Sequence, residues 1–129
     1  METAKFGSNS PWEDVVGYSR VVRAGNFIEV AGTVAADENG LPVGKNNAYE
    51  QAVYIIGKLV KYIEMAGGQK ENIIRTRIYV KDISLWKEIA KAHREFFLRV
   101  KPVTTMVEVK GLIGDEYLLE MEATAVLPH

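Results

Sequence analysis

Near the C-terminal end, apolar and polar residues alternate in two short runs. At 103–109 the odd positions are Val103, Thr105, Val107 and Val109, with Thr104, Met106 and Glu108 between them. At 119–125, Leu119, Met121, Ala123 and Ala125 alternate with Glu120, Glu122 and Thr124. A period of two predicts strands, each with one packed face. On this pattern Glu108, Glu120 and Glu122 fall on the non-core side of two strands close in space. That side reads either as a place for chemistry or as an ordinary solvated sheet face.

The same reasoning runs along the rest of the chain. Residues 18–24 (YSRVVRA) and 27–34 (FIEVAGTV) are strand-like, and Gly25-Asn26 between them is a two-residue hairpin signal. Gly32 interrupts the second run, as at a bulge or a close backbone approach, or as simple tolerance at a sheet edge. Residues 36–46 form a polar loop with Asn39-Gly40 as its turn and Pro42 as a breaker. Asn47 opens a helix, with Glu50 three residues on in a capping-box arrangement. Ala52, Ile55, Ile56, Leu59, Ile63 and Ala66 make its buried stripe; Lys58, Lys61 and Glu64 are assigned to water. Gly67-Gly68 ends it through left-handed conformations.

Residues 73–81 predict a strand with Ile74, Thr76, Ile78 and Val80 on the packed face and Arg75, Arg77, Tyr79 and Lys81 on the other. A second helix is expected over roughly 85–99, with Trp86, Ile89, Ala90, His93, Phe96, Phe97 and Val100 as its stripe. Residues 1–16 read as an irregular lead-in with Trp12 as its anchor, against the subunit core or a neighbour. The order is β-β-α-β-α-β-β in a single domain over 1–129, an α+β sandwich with two helices on one face of a mainly antiparallel sheet. Its helix-free face then carries Arg75, Arg77, Tyr79, Glu120 and Glu122, and with its apolar neighbours suits an oligomer interface.

Composition narrows the function classes. With 16 basic and 17 acidic residues the net charge is −1, which offers no electrostatic footprint for nucleic acid or an anionic membrane. There is no cysteine, so disulfides, thiol nucleophiles and cysteine–zinc sites are excluded. His93 and terminal His129 are the only histidines, too few for a His-rich metal site in one chain. No metal or cofactor is expected. No apolar run approaches the ~20 residues that span a bilayer, and no signal-peptide pattern opens the chain, so a cytoplasmic protein is the expectation.

The succession GYSRVV (17–22), GNFIEVAGTV (25–34), QAVYIIGKLVKYIEMAGG (51–68), IIRTRIYVKDIS (73–84), EFF (95–97) and PVTTMVEVKGL…LLEMEATAV (102–126) resembles the RidA/YjgF family, also called reactive intermediate deaminase or L-PSP. The resemblance implies a chorismate-mutase-like fold and a homotrimer with small-molecule clefts between subunits. It also implies hydrolysis of enamines and imines, such as 2-aminoacrylate, to a 2-keto acid and ammonia. Carried over residue by residue, Tyr18 matches a pocket tyrosine, Gly32 the strand glycine with Ala31 beside it, and Glu120 the glutamate that positions water. The chain departs from the pattern where the family carries a substrate-binding arginine two residues after the proline. Pro102 is followed by Val103-Thr104-Thr105, so Thr104 stands in the arginine's place. Met106 replaces a small or cysteine residue, and Ala90 an asparagine.

A bidentate, charge-assisted clamp is lost with that arginine. Arg77 is a candidate to supply the charge from another direction, or else pairs with Glu120 or Glu122 in an interface. His93 is a candidate acid–base near pH 7, or a hydrogen-bonded core or interface residue. The expectation is a Rid-type protein whose ordinary 2-imino acid deamination is weakened; the alternative is a non-enzymatic ligand-binding or interaction module.

Overall fold

The computed structural model describes residues 1–128; His129 lies outside the described residues. Six strands form one sheet: β1 (Thr3–Phe6), β2 (Val21–Ala24), β3 (Phe27–Thr33), β4 (Ile73–Val80), β5 (Val103–Glu108) and β6 (Leu119–Val126), in spatial order β1-β2-β3-β6-β4-β5. Every pairing is antiparallel except β4 with β5. That parallel pair needs a crossover. Helix α3 (Trp86–Phe97) supplies it, and α2 (Ala48–Met65) links β3 to β4.

The expected α+β architecture is present, with two additions at the N-terminus. Instead of an irregular lead-in, the chain forms edge strand β1 and the short helix α1 (Pro11–Val16). Ser10 caps α1 by accepting from the Trp12 amide, and Pro11 occupies its first turn. Nothing in α1 is buried; Trp12 is about half exposed, so it does not anchor the arm to this subunit's core.

The core lies between the sheet and α2. Ile28, Val30, Met121, Ala123 and Ala125 face Ala52, Ile55, Ile56, Leu59 and Ile63, all essentially sealed from solvent. Asn47 caps α2 through its side chain on the Glu50 amide. At the other end only Gly67 is left-handed (φ +97°). Gly68 serves differently: a Cβ there would lie 2.9 Å from Ile63 Cγ2 and 3.1 Å from Ile28 Cδ1, so it is a packing position.

Lys58 does not face water as expected. Its ammonium folds back to donate to the carbonyls of Val34 (3.2 Å) and Ala36 (2.8 Å), pinning the loop after β3. Burial, with Arg20 adding to it, lowers its pKa to about 8. An unfolded lysine keeps its proton to about pH 10.4. Between those values the unfolded chain binds more protons, so this group's penalty is present below pH 8 and is relieved as pH rises. Thermal unfolding of the wild type is therefore expected to move upward from pH 8 to 9.5 relative to Lys58→Met. Parallel curves for the two proteins would refute that.

Candidate ligand site on the helix-free face

The register between β4 and β6 sets Arg77 opposite Glu122 and Tyr79 opposite Glu120. Burial alternates along β6, with Leu119, Met121 and Ala123 inside and both glutamates on the helix-free side. The two carboxylates have different surroundings. Glu122 accepts from the Tyr79 hydroxyl and lies 4.0 Å from Arg77 Nη1. Arg77 is thus an ion-pair partner of Glu122 within the subunit. Glu120 takes no side-chain hydrogen bond among the described residues. It is half-buried, and burial pushes its carboxyl above the ordinary value; the Arg20 charge opposes that shift and Glu122 adds to it.

Gly32 explains how Glu120 comes to be buried. The β3–β6 register slips between Val30 and Thr33, placing Ala31 and Gly32 in a bulge. A Cβ on Gly32 would stand 2.1 Å from Glu120 Oε2 and 3.0 Å from its Cδ. The carboxylate rests against bare backbone, and a side chain at position 32 would displace it from this seat. Gly32, Tyr79, Val109, Gly111, Leu112, Glu120 and Glu122 surround an open cavity of about 320 Å³, at the lower end of small-molecule sites.

Arg20, to which the sequence assigned no role in the site, braces the bulge. Its Nη1 donates to the Gly32 carbonyl (2.9 Å) and to Thr33 Oγ1 (3.2 Å), while its own carbonyl accepts from the Ala31 amide (3.0 Å). Tyr18 lies just before β2, not within a strand, and its ring covers the guanidinium with the centroid 5.4 Å from Cζ. A signal for Arg20 was present in the chain: a charged residue directly before an apolar strand, two positions from Tyr18.

The remaining sequence candidates lie elsewhere within one subunit. Thr104 and Met106 pair in register with Thr76 and Ile78, both buried on the helix side of the sheet. Glu108 pairs with Val80 on that side and caps the turn at Ile83 by accepting from its amide. It therefore does not join Glu120 and Glu122; Val103, Thr105 and Val107 occupy the helix-free face of β5 instead. His93 Nε2 lies 2.9 Å from Thr76 Oγ1 and 3.4 Å from Thr104 Oγ1, and Thr76 Oγ1 lies 2.8 Å from Thr104 Oγ1. The imidazole packs on Phe97, with ring centroids 4.6 Å apart, and burial lowers its pKa below the usual histidine value. At pH 7 it is a neutral partner of two hydroxyls, on the opposite face of the sheet from Glu120. Within one chain the candidates thus fall into separate groups: Glu120 and Gly32 at the cavity with Ala31 in the same bulge, Tyr18 over Arg20 beside that bulge, and Thr104, Met106 and His93 on the opposite face of the sheet.

Among the described residues no cluster of His, Asp and Glu could hold a metal ion, and no helix is long and apolar enough to cross a membrane.

This is an α+β protein whose bulged strand seats a free glutamate at a small cavity. The family description "Endoribonuclease L-PSP" matches residues 9–127, and the chain belongs to that family, the RidA/YjgF proteins. A structure of a YjgF/YER057c/UK114 family member from Mycobacterium tuberculosis is similar over 98% of this chain and 100% of its own, with a TM-score of 0.89 at 36% identity. An uncharacterised protein of Streptomyces coelicolor is 37% identical over 92% of this chain and 87% of its own length. The 3-aminoacrylate deaminase RutC of Acinetobacter baylyi is 25% identical, covering 84% and 85%.

Proposed function

We propose that the protein is a trimeric imine or enamine hydrolase of the Rid type, retargeted away from small 2-imino acids. The observation that carries this reading is the half-buried Glu120 carboxylate, free of hydrogen bonds among the described residues and seated against Gly32 in the cavity. A carboxylate so placed takes a proton from water as that water's oxygen adds to the C=N carbon. Glu120 returns that proton to the nitrogen, giving a neutral carbinolamine. It then takes the carbinolamine hydroxyl proton and delivers it to the nitrogen as the C–N bond breaks, leaving a carbonyl and ammonia. Its raised pKa brings acid and base forms nearer to neutral pH, where a general acid–base works best. Kinship with a protein named 3-aminoacrylate deaminase agrees with this chemistry.

In the proposed assembly the helix-free faces pack together. Phe27, Val103 and Val107 are 52%, 57% and 42% exposed there in a single subunit, and burying them favours association. Thr104, Met106 and His93, at the β5 edge of the sheet, are then contributed to the cleft by a neighbouring chain. With a hydroxyl where the family has a guanidinium, this cleft favours neutral or larger imines over small carboxylates.

Thr104 also motivates the second reading, a ligand-binding module without turnover, because its hydroxyl already engages Thr76 and lies near His93. Ribonuclease action has less support. Arg23 is spent on the carbonyls of Gly25 and Ala66, Arg20 on the Gly32 carbonyl and the Thr33 hydroxyl, and Arg77 on Glu122.

Sedimentation together with a panel of imines tests the proposal. A trimer that hydrolyses carboxylate-free or bulky imines faster than 2-iminopropanoate is expected. A trimer that binds such compounds without hydrolysing any would establish the module.

A further inference from the structure

The one charged side chain sealed into this region is Arg20, 8% exposed. One guanidinium nitrogen, Nη1, holds both the Gly32 carbonyl and Thr33 Oγ1, Tyr18 and Tyr62 cover the group with ring centroids 5.4 and 5.9 Å from Cζ, and its Nε is buried with no partner among the described residues. No carboxylate lies within ion-pair distance of it among the described residues. Sealing a cation away from water without a counter-ion is expensive, and a neutral amide would hold one carbonyl at lower cost. The arrangement therefore points to use of the charge itself.

We propose that Arg20 is the positioning residue of the Glu120 site. It fixes the Ala31–Thr33 bulge against which the carboxylate rests, and it supplies the standing positive charge that a cleft without an arginine at position 104 otherwise lacks. This rests on the reading of Glu120 as the working carboxylate and adds where its electrostatic control comes from. Three anchors tie Arg20 to the bulge: Nη1 to the Gly32 carbonyl, Nη1 to Thr33 Oγ1, and the Arg20 carbonyl to the Ala31 amide. Thr33 Oγ1 in turn donates to the Ala31 carbonyl (2.8 Å), closing the loop.

The other groups facing Glu120 are few. Glu122 neighbours it on β6, and Tyr79 with Arg77 comes from β4, those two being spent on Glu122. Gly32 lies on the β3 side, and Val109, Gly111 and Leu112 carry no charge. Arg20 is thus the cation whose field opposes the burial of Glu120 without being neutralised by a contact.

The test is a carboxyl-carbon NMR titration of Glu120 in the full chain, with the Gly32 and Thr33 amides followed in the same samples. It needs no substrate, so it is decided independently of whether the protein turns anything over. Arg20→Gln keeps one donor and loses the charge; the Glu120 midpoint is expected to rise, and by more than in Arg23→Gln, which removes a cation bound to other carbonyls. Arg20→Lys keeps the charge but replaces the rigid guanidinium that sets Nη1 between the Gly32 carbonyl and Thr33 Oγ1; the midpoint should stay near wild type while the Gly32 and Thr33 amides move. An Arg20→Gln midpoint no higher than that of Arg23→Gln would overturn the proposal. Should Arg20→Gln not fold, Arg20→Lys decides alone: unmoved bulge amides overturn it, and moved amides with an unmoved midpoint support it.

Discussion

Glu120→Gln lowers turnover of any imine the wild type hydrolyses by roughly 10²–10⁴-fold, the usual worth of a positioned general acid–base. The same change leaves the melting temperature equal or higher. Both halves follow from the surroundings of the carboxylate. Burial raises its pKa and Glu122 raises it further, so the folded state resists the charge that water imposes on the unfolded chain. The stability associated with a raised carboxyl is fully present below its unfolded value and is lost as pH rises through the folded value. At neutral pH the ionised group is a burden on the fold, and an isosteric amide lifts it. A structural glutamate would behave the opposite way, costing stability on neutralisation. Kinetics and melting on the same preparations separate the two: lost rate with retained stability supports the functional assignment, and lost stability opposes it.

Phe97→Ala should destabilise the fold by about 3–5 kcal/mol, as truncation of a large buried aromatic does. Phe97 is 2% exposed and holds α3 in the core beside Ile89 and Ala92. Against a total of about 5–15 kcal/mol the loss is large, and the melting temperature falls by roughly 10–20 °C. His93 responds as well, since its ring rests on Phe97 at 4.6 Å and burial is what lowers its pKa. With that wall removed, its midpoint moves upward toward the ordinary value. Phe96→Ala, at a partly exposed position on the same helix, should cost distinctly less and leave His93 unmoved. Denaturant melts with proton NMR of the imidazole check both statements, and equal losses from the two variants would contradict the packing described.

Much of this fold was legible because its central elements are periodic and one-sided. β3, β6 and the α2 stripe announce themselves by where their apolar residues fall, and the helix-free placement of Glu120 and Glu122 followed from alternation alone. β1 and α1 did not, since four and six residues with scarcely a buried side chain leave no pattern to read. The Ser10-Pro11 cap was the signal available for α1. Glu108 was misplaced for a related reason. Both faces of β5 carry apolar residues, so alternation could not say which face is the core. Its parallel register with β4 decides that. The bracing role of Arg20 was not legible, because its position before an apolar strand marks a charged residue there but not the long-range contact with the Gly32 carbonyl.

The substitution at position 104 is where the central claim is exposed most directly. A pyridoxal-phosphate dehydratase can generate small 2-imino acids in situ, with semicarbazide trapping what survives, and the wild type can be compared with Thr104→Arg. The account predicts little acceleration by the wild type. It predicts a gain on the order of 10–100-fold in the variant, since ionic hydrogen bonds contribute about 1.5–3 kcal/mol each. Rapid hydrolysis of the same imines by the unaltered protein would contradict it, because another group would then be holding the substrate carboxylate.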